Sequence, residues 1–134
     1  MITKYNKFIN ENTTTERRFV VDKKNYKFQL FLGDILVAKS DFSIDQPNEL
    51  YNQKYVGLFK LETVEKFQGK GYMKYLLEQI FDYIKNELNI DTILLNVYKN
   101  NDRALNLYFN SGFVIYKKYD DDEDPYYTLI KDLS

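Results

Sequence analysis

The segment from Tyr55 to Tyr98 limits this chain more than any other, because it changes periodicity twice within 44 residues. Tyr55 to Thr63 is a strand-like run. Gln68-Gly69-Lys70-Gly71-Tyr72-Met73 follows, and then Leu76, Ile80, Ile84 and Leu88 fall on one helical stripe with Met73, Leu77 and Phe81 beside it. That spacing predicts one long helix with a buried face, starting at Tyr72. After Asn89-Ile90-Asp91, the mostly apolar run Thr92 to Tyr98 reads as a strand covered on both faces. A helix between two strands makes a crossover, so the strands should be parallel neighbours in an α/β sheet.

The flanking sequence extends that sheet. Arg17 to Asp22, Tyr26 to Leu32 and Ile35 to Phe42 are rich in valine, phenylalanine and tyrosine, with Gly33-Asp34 as a tight hairpin turn. Asp45 to Gln53 lacks periodicity and reads as a loop. Asn100 or Asn101 caps a second, shorter helix through Asn110, with Asp102 in its first turn and Gly112 as a left-handed stop. Phe113 to Tyr119 and Tyr126 to Ile130 form a last hairpin around the acidic run Asp120 to Asp124. Residues 1–15 read as a flexible leader and 16–134 as a single domain.

The glycine turn is where chemistry is expected. Gly69 and Gly71 permit turn conformations closed to other residues, and the first helical amides, at Tyr72 and Met73, have no partner within the helix. Those amides, the helix dipole and Lys70 together suit a pyrophosphate. The same hexad also serves as a ligand-free strand-to-helix connection.

Composition removes many alternatives. The chain has no cysteine and no histidine, which excludes Ser-His-Asp hydrolysis, cysteine acyl-enzymes and zinc hydrolysis in their usual forms. Carboxylates, tyrosines, lysines and backbone dipoles are left, and no metal is expected. A net charge of -1 offers no bulk attraction to nucleic acid or an anionic membrane. No apolar run approaches the roughly 20 residues of a membrane span, so a soluble, cytoplasmic protein is expected.

Adding Leu95-Asn96-Val97, Asn101, Ala104, Leu107, Tyr108, Gly112 and Phe113 to the hexad gives a pattern that resembles the GNAT family of N-acetyltransferases. In that family a glutamine or arginine opens a six-residue turn with glycine fourth and glycine or alanine sixth. Gln68 and Gly71 match, whereas Met73 departs. The resemblance implies a GNAT-like mixed central sheet with a long phosphate-turn helix and a second shorter helix. It also implies acetyl-CoA as cosubstrate, its pyrophosphate on Gln68, Gly69, Lys70, Gly71, Tyr72 and Met73, its pantetheine arm on Leu61 and Thr63, and Asn101 beside it. Tyr108 matches the family tyrosine near the coenzyme sulfur, and Glu62 is the nearest carboxylate for a base. With no cysteine, direct transfer in a ternary complex is expected.

Two helices that build the acceptor wall in the full family fold have no room between Asp22 and Tyr26, so the N-terminal helices are reduced or absent. The acceptor, a small cationic amine or a protein amine, would then meet a cut-back wall completed by a partner subunit, as in a homodimer, or by the acceptor itself. Asp120 to Asp124 would attract a cationic amine or form a solvated hairpin tip. A coenzyme-free binding or structural module on the same fold is the alternative. Residues 4–11 also look like the capsid-targeting leaders of large tailed phages, with Ile9-Asn10-Glu11 as an aliphatic-x-glutamate site; an ordinary disordered start is the plainer reading.

Overall fold

Seven strands form one sheet in the order β1-β2-β3-β4-β5-β7-β6 in the computed structural model, which describes residues 16–121 and 123–134. The strands are β1 (Arg17–Asp22), β2 (Lys27–Leu32), β3 (Ile35–Asp45), β4 (Tyr55–Thr63), β5 (Thr92–Tyr98), β6 (Val114–Tyr119) and β7 (Tyr126–Asp132). The helices are α1 (Tyr72–Asn86) and α2 (Asp102–Asn110). Together these make the mixed sheet with a long and a short helix anticipated from the resemblance. The leader and its aliphatic-x-glutamate site lie outside the described residues.

Several boundaries differ from the sequence reading, and β6 starts at Val114 rather than Phe113 while β7 runs on past Ile130 to Asp132. Tyr26 is in the β1–β2 turn rather than in β2, and takes a left-handed φ of 56° there, outside regular strand geometry. β3 continues past Phe42 to Asp45, since Ser43, Ile44 and Asp45 find partners in Gly57, Val56 and Tyr55 of β4. α1 stops at Asn86, before Leu88.

Residues opposite one another in successive registers share a face. Phe42 pairs with Leu58, Leu58 with Leu95 and Leu95 with Leu129, while Phe28 stacks on Phe42 at 4.2 Å between ring centres. α1 covers this row with Met73, Leu76, Leu77, Ile80 and Ile84, all buried. Each such side chain contributes about 1.5–3 kcal/mol on burial, so packing rather than propensity holds the helix. α2 sits on the same face, where Tyr108 meets Phe113 and Phe113 meets Phe81 of α1.

The other face carries no helix among the described residues, and its composition follows from that. At the β2–β4 end it is polar, with Lys27 Nζ 2.7 Å from Asp41 and Lys39 Nζ 3.8 Å from Glu62. Towards β5 and β6 the segment 46–54 lies over it, anchored where the Tyr116 hydroxyl donates to the Leu50 carbonyl at 2.9 Å and Thr92 Oγ1 donates to the Tyr51 hydroxyl at 3.3 Å. A loop therefore stands on part of the face that the family's two missing helices were expected to wall.

Candidate active site

The sheet opens between β4 and β5. Their parallel pairing covers only Val56–Leu58 with Ile93–Leu95, although β4 runs on to Thr63 and β5 to Tyr98. The cause is a β-bulge. Lys39 pairs with Glu62 and Asp41 with Phe59, so Ser40 alone faces both Lys60 and Leu61. Lys60 takes up the extra residue with φ 53°, a left-handed conformation that costs a non-glycine residue about 1–2 kcal/mol. The bulge turns the end of β4 away from β5 and leaves a cleft.

Two cavities fill it. One, of about 430 Å³, is lined by Leu61, Glu62, Thr63, the glycine turn, the first turn of α1, and Asn101, Arg103, Leu107 and Tyr108 of the α2 side. The other, of about 720 Å³, lies among Asp45, Tyr55, Gly57, Phe59, Lys60, Asn96, Tyr98 and Tyr126. Leu61, Asn101, Ala104 and Tyr108 line both, so the two cavities meet beside Tyr108.

At the first cavity, Gly69 (φ 76°) and Gly71 (φ 83°) are both left-handed, and Gly71 is the N-cap of α1. A methyl group added at either glycine would meet nothing within 4 Å, so the turn presents bare backbone to open space. No side chain caps α1 and no acidic residue stands in its first turn. The first amides of the helix are therefore available to an anion. Gln68 braces the turn: its Nε2 donates to the Thr63 carbonyl at 3.2 Å, and its Oε1 accepts from Arg103 Nη1 at 3.2 Å. Lys74 and Arg103 line the cavity, whereas Lys70 is exposed outside the lining. Met73, the departure from the family pattern, packs into the core and also contributes to the wall of this cavity.

Tyr108 is only 7% exposed, and burial pushes its phenol up to about 12. It therefore stays protonated, and able to donate, across any ordinary pH. Asn101 spends its side-chain oxygen on the Ala104 amide at 3.2 Å, capping α2 and fixing the start of the helix that carries Tyr108. Glu62 stands across the strand from Leu61 and Thr63, with its carboxylate 66% exposed and near Lys39. Of the acidic run, Asp120 is held by Lys99 at 2.7 Å, which keeps its carboxyl below the usual range, and Asp124 reaches the larger cavity.

Sequence reasoning did not find Arg103, Asp45, Tyr55 or Tyr126. Only the register of β3 on β4 and the placement of β7 against β5 bring the last three together.

A family model for the GNAT acetyltransferases matches residues 4–113, beginning inside the stretch read as a leader. The chain belongs to the GNAT family. Within the family it is 32% identical over 112 residues to spermidine N(1)-acetyltransferase of Vibrio cholerae, covering 82% of this chain and 55% of that protein. It is 39% identical over 73 residues to the acetyltransferase PseH of Campylobacter jejuni, covering 54% of this chain and 43% of that one. The chain thus spans about half the length of the curated relatives it matches. Its fold matches the ribosomal-protein-S18-alanine N-acetyltransferase of Escherichia coli with a TM-score of 0.67 at 19% identity, over 84% of this chain and 72% of that structure. For a GNAT protein, whose cosubstrate is acetyl-CoA, the open glycine turn before α1 is compatible with an anionic group such as a pyrophosphate. Among the described residues there is no cluster of three histidine, cysteine, aspartate or glutamate side chains that could hold a metal ion. No described helix is long and apolar enough to cross a membrane.

Proposed function

We propose that this protein transfers an acetyl group from acetyl-CoA to a primary amine, a small cationic amine or a protein amine, by direct transfer in a ternary complex. The observation that carries the proposal is the junction at Tyr108, where an anion-binding cavity with an open glycine cradle meets a second cavity large enough for an acceptor.

Bound acetyl-CoA supplies an activated thioester. The chain's own groups then divide the remaining work. The glycine turn and first α1 amides hold the diphosphate, with Lys74 and Arg103 adding positive charge at the cavity wall. The edge of β4 at Leu61 and Thr63 guides the arm into the cleft, as an added strand would lie there. Tyr108 donates a hydrogen bond to the departing sulfur. A phenol near 12 binds its proton more tightly than a thiol near 8.5 does, so Tyr108 stabilises the thiolate without surrendering its proton. The proton balance closes when the amine's excess proton leaves through water to solvent and the thiolate is protonated in turn. Glu62, an exposed side chain at the edge of the first cavity, acts as a base only through such water.

The test is thermal melting of the purified protein with and without millimolar acetyl-CoA, since a ligand that binds only the folded state raises the midpoint. A rise, followed by acetylation of at least one amine in a panel, supports the proposal. No rise assigns the fold to a coenzyme-free binding module.

A further inference from the structure

The larger cavity carries a charge pattern that the transfer reaction does not use. Its walls hold Lys60 at the bulge, next to the junction at Tyr108, and Asp45 at the opposite end of β4, where Asp45 pairs with Tyr55. Ser43 Oγ donates to Asp45 Oδ2 at 2.8 Å and so fixes the orientation of the carboxylate. Gly57 stands opposite Ser43 in β4. A methyl group at Gly57 would come within 2.9 Å of Ser43 Oγ and 3.4 Å of Asp45 Oδ2, so the glycine keeps this pair open to the cavity. Tyr98 and Tyr126 add aromatic surface, and Asp124 is a second carboxylate in the wall.

We infer that Asp45 recognises a second positive charge on the acceptor, and that the acceptor is an elongated diamine or longer linear polycation rather than a monoamine. The inference rests on the transfer reading above. At about 3.3 Å per strand residue, Gly57 lies roughly 10–13 Å from Leu61 along β4. An amine that reacts beside Tyr108 therefore reaches Asp45 only if it is extended. The polarity of the wall sets the direction. Lys60 repels a fixed second charge near the junction, and the oriented carboxylate of Asp45 attracts it at the far end. A charge-assisted hydrogen bond in a partly enclosed site is worth enough to set acceptor preference by about tenfold or more.

The experiment compares linear α,ω-diamines of increasing length with n-alkylamines of equal carbon count, for the full chain and for Asp45→Asn, Ser43→Ala and Gly57→Ala. Wild type should acetylate a diamine with about tenfold higher kcat/KM than the matched monoamine. Asp45→Asn should remove that preference through KM for the diamine while leaving the monoamine within about twofold. The other two variants, which keep the charge and disturb its orientation, should weaken the preference partially. Melting with diamine alone, without acetyl-CoA, gives a second readout: the diamine should stabilise wild type and not Asp45→Asn. An equal loss on both amine classes, or no loss, overturns the assignment of Asp45 while leaving acetyl transfer standing. Asp45-dependent diamine binding without acetylation of any amine overturns the transfer reading and keeps the subsite. Absence of both removes both.

Discussion

Arg103 in the first turn of α2 donates to Gln68 at the head of the glycine turn, across 35 positions of sequence, with Nη1 and Oε1 3.2 Å apart. Because Gln68 also donates to the Thr63 carbonyl, one side chain joins the end of β4, the turn and the second helix. The anion cradle and the helix that carries Tyr108 are thereby positioned by a shared contact. Arg103→Ala should raise KM for acetyl-CoA about fivefold, the effect of losing one hydrogen bond plus a nearby cation, with kcat little changed. Steady-state kinetics at saturating amine measures this, and an unchanged KM would mean that the brace is idle.

Gly71 combines a left-handed φ with open space above its α-carbon. Gly71→Ala should destabilise the protein by about 1 kcal/mol through backbone strain alone. Gly71→Glu adds a negative charge where the first α1 amides point, and should abolish the acetyl-CoA-dependent rise in melting temperature. Calorimetry of both variants separates strain from lost binding.

Tyr108→Phe removes the donor at the junction while keeping the ring packed against Phe113. Turnover should fall about 10²-fold with little change in acetyl-CoA binding. The same substitution should change alkaline stability. The folded-state value of Tyr108 is raised to about 12 from an ordinary 10, so its contribution is whole below pH 10. It is lost as the pH rises from 10 to 12, by up to ~3 kcal/mol, because the unfolded chain releases the proton first. Tyr108→Phe should flatten that part of the stability curve, as read by denaturant melts at stepped pH.

Asp41 is nearly buried on the helix-free face, and its hydrogen bond from Lys27 holds its carboxyl below the usual range despite burial. A lowered value stabilises the fold at pH above about 4 and ceases to do so as pH falls through the lower, folded-state value. Lys27→Met should destabilise the protein by about 1–3 kcal/mol at neutral pH by removing the hydrogen bond to that carboxylate and leaving it only the longer Lys39 contact at 3.9 Å. It should also move the acid-unfolding midpoint to higher pH. Equilibrium melts between pH 2 and 7 test both effects.

The sequence by itself determined the elements that depend on neighbouring residues. A 3.6-residue apolar stripe specifies α1, and two glycines before it specify a left-handed turn that leaves amides free. Asn101 specifies the start of α2 through its own side chain, and an apolar run specifies β5. From these α1, the glycine turn before it and the start of α2 were legible, because each rests on contacts only a few residues apart, whereas the mixed sheet and the place of Tyr108 were expected from the family resemblance. What only the tertiary structure decided lies between elements. Nothing local in Val114 to Tyr119 says that β7 inserts beside β5 and leaves β6 at the edge, nor that Lys60 accepts a left-handed bulge. The splay of the cleft and the larger cavity are consequences of those two facts. Asp45 shows the difference most clearly: in sequence it opens a loop, but in the sheet it pairs with Tyr55 and lines the larger cavity, because strand register is set by partners that a single segment does not contain.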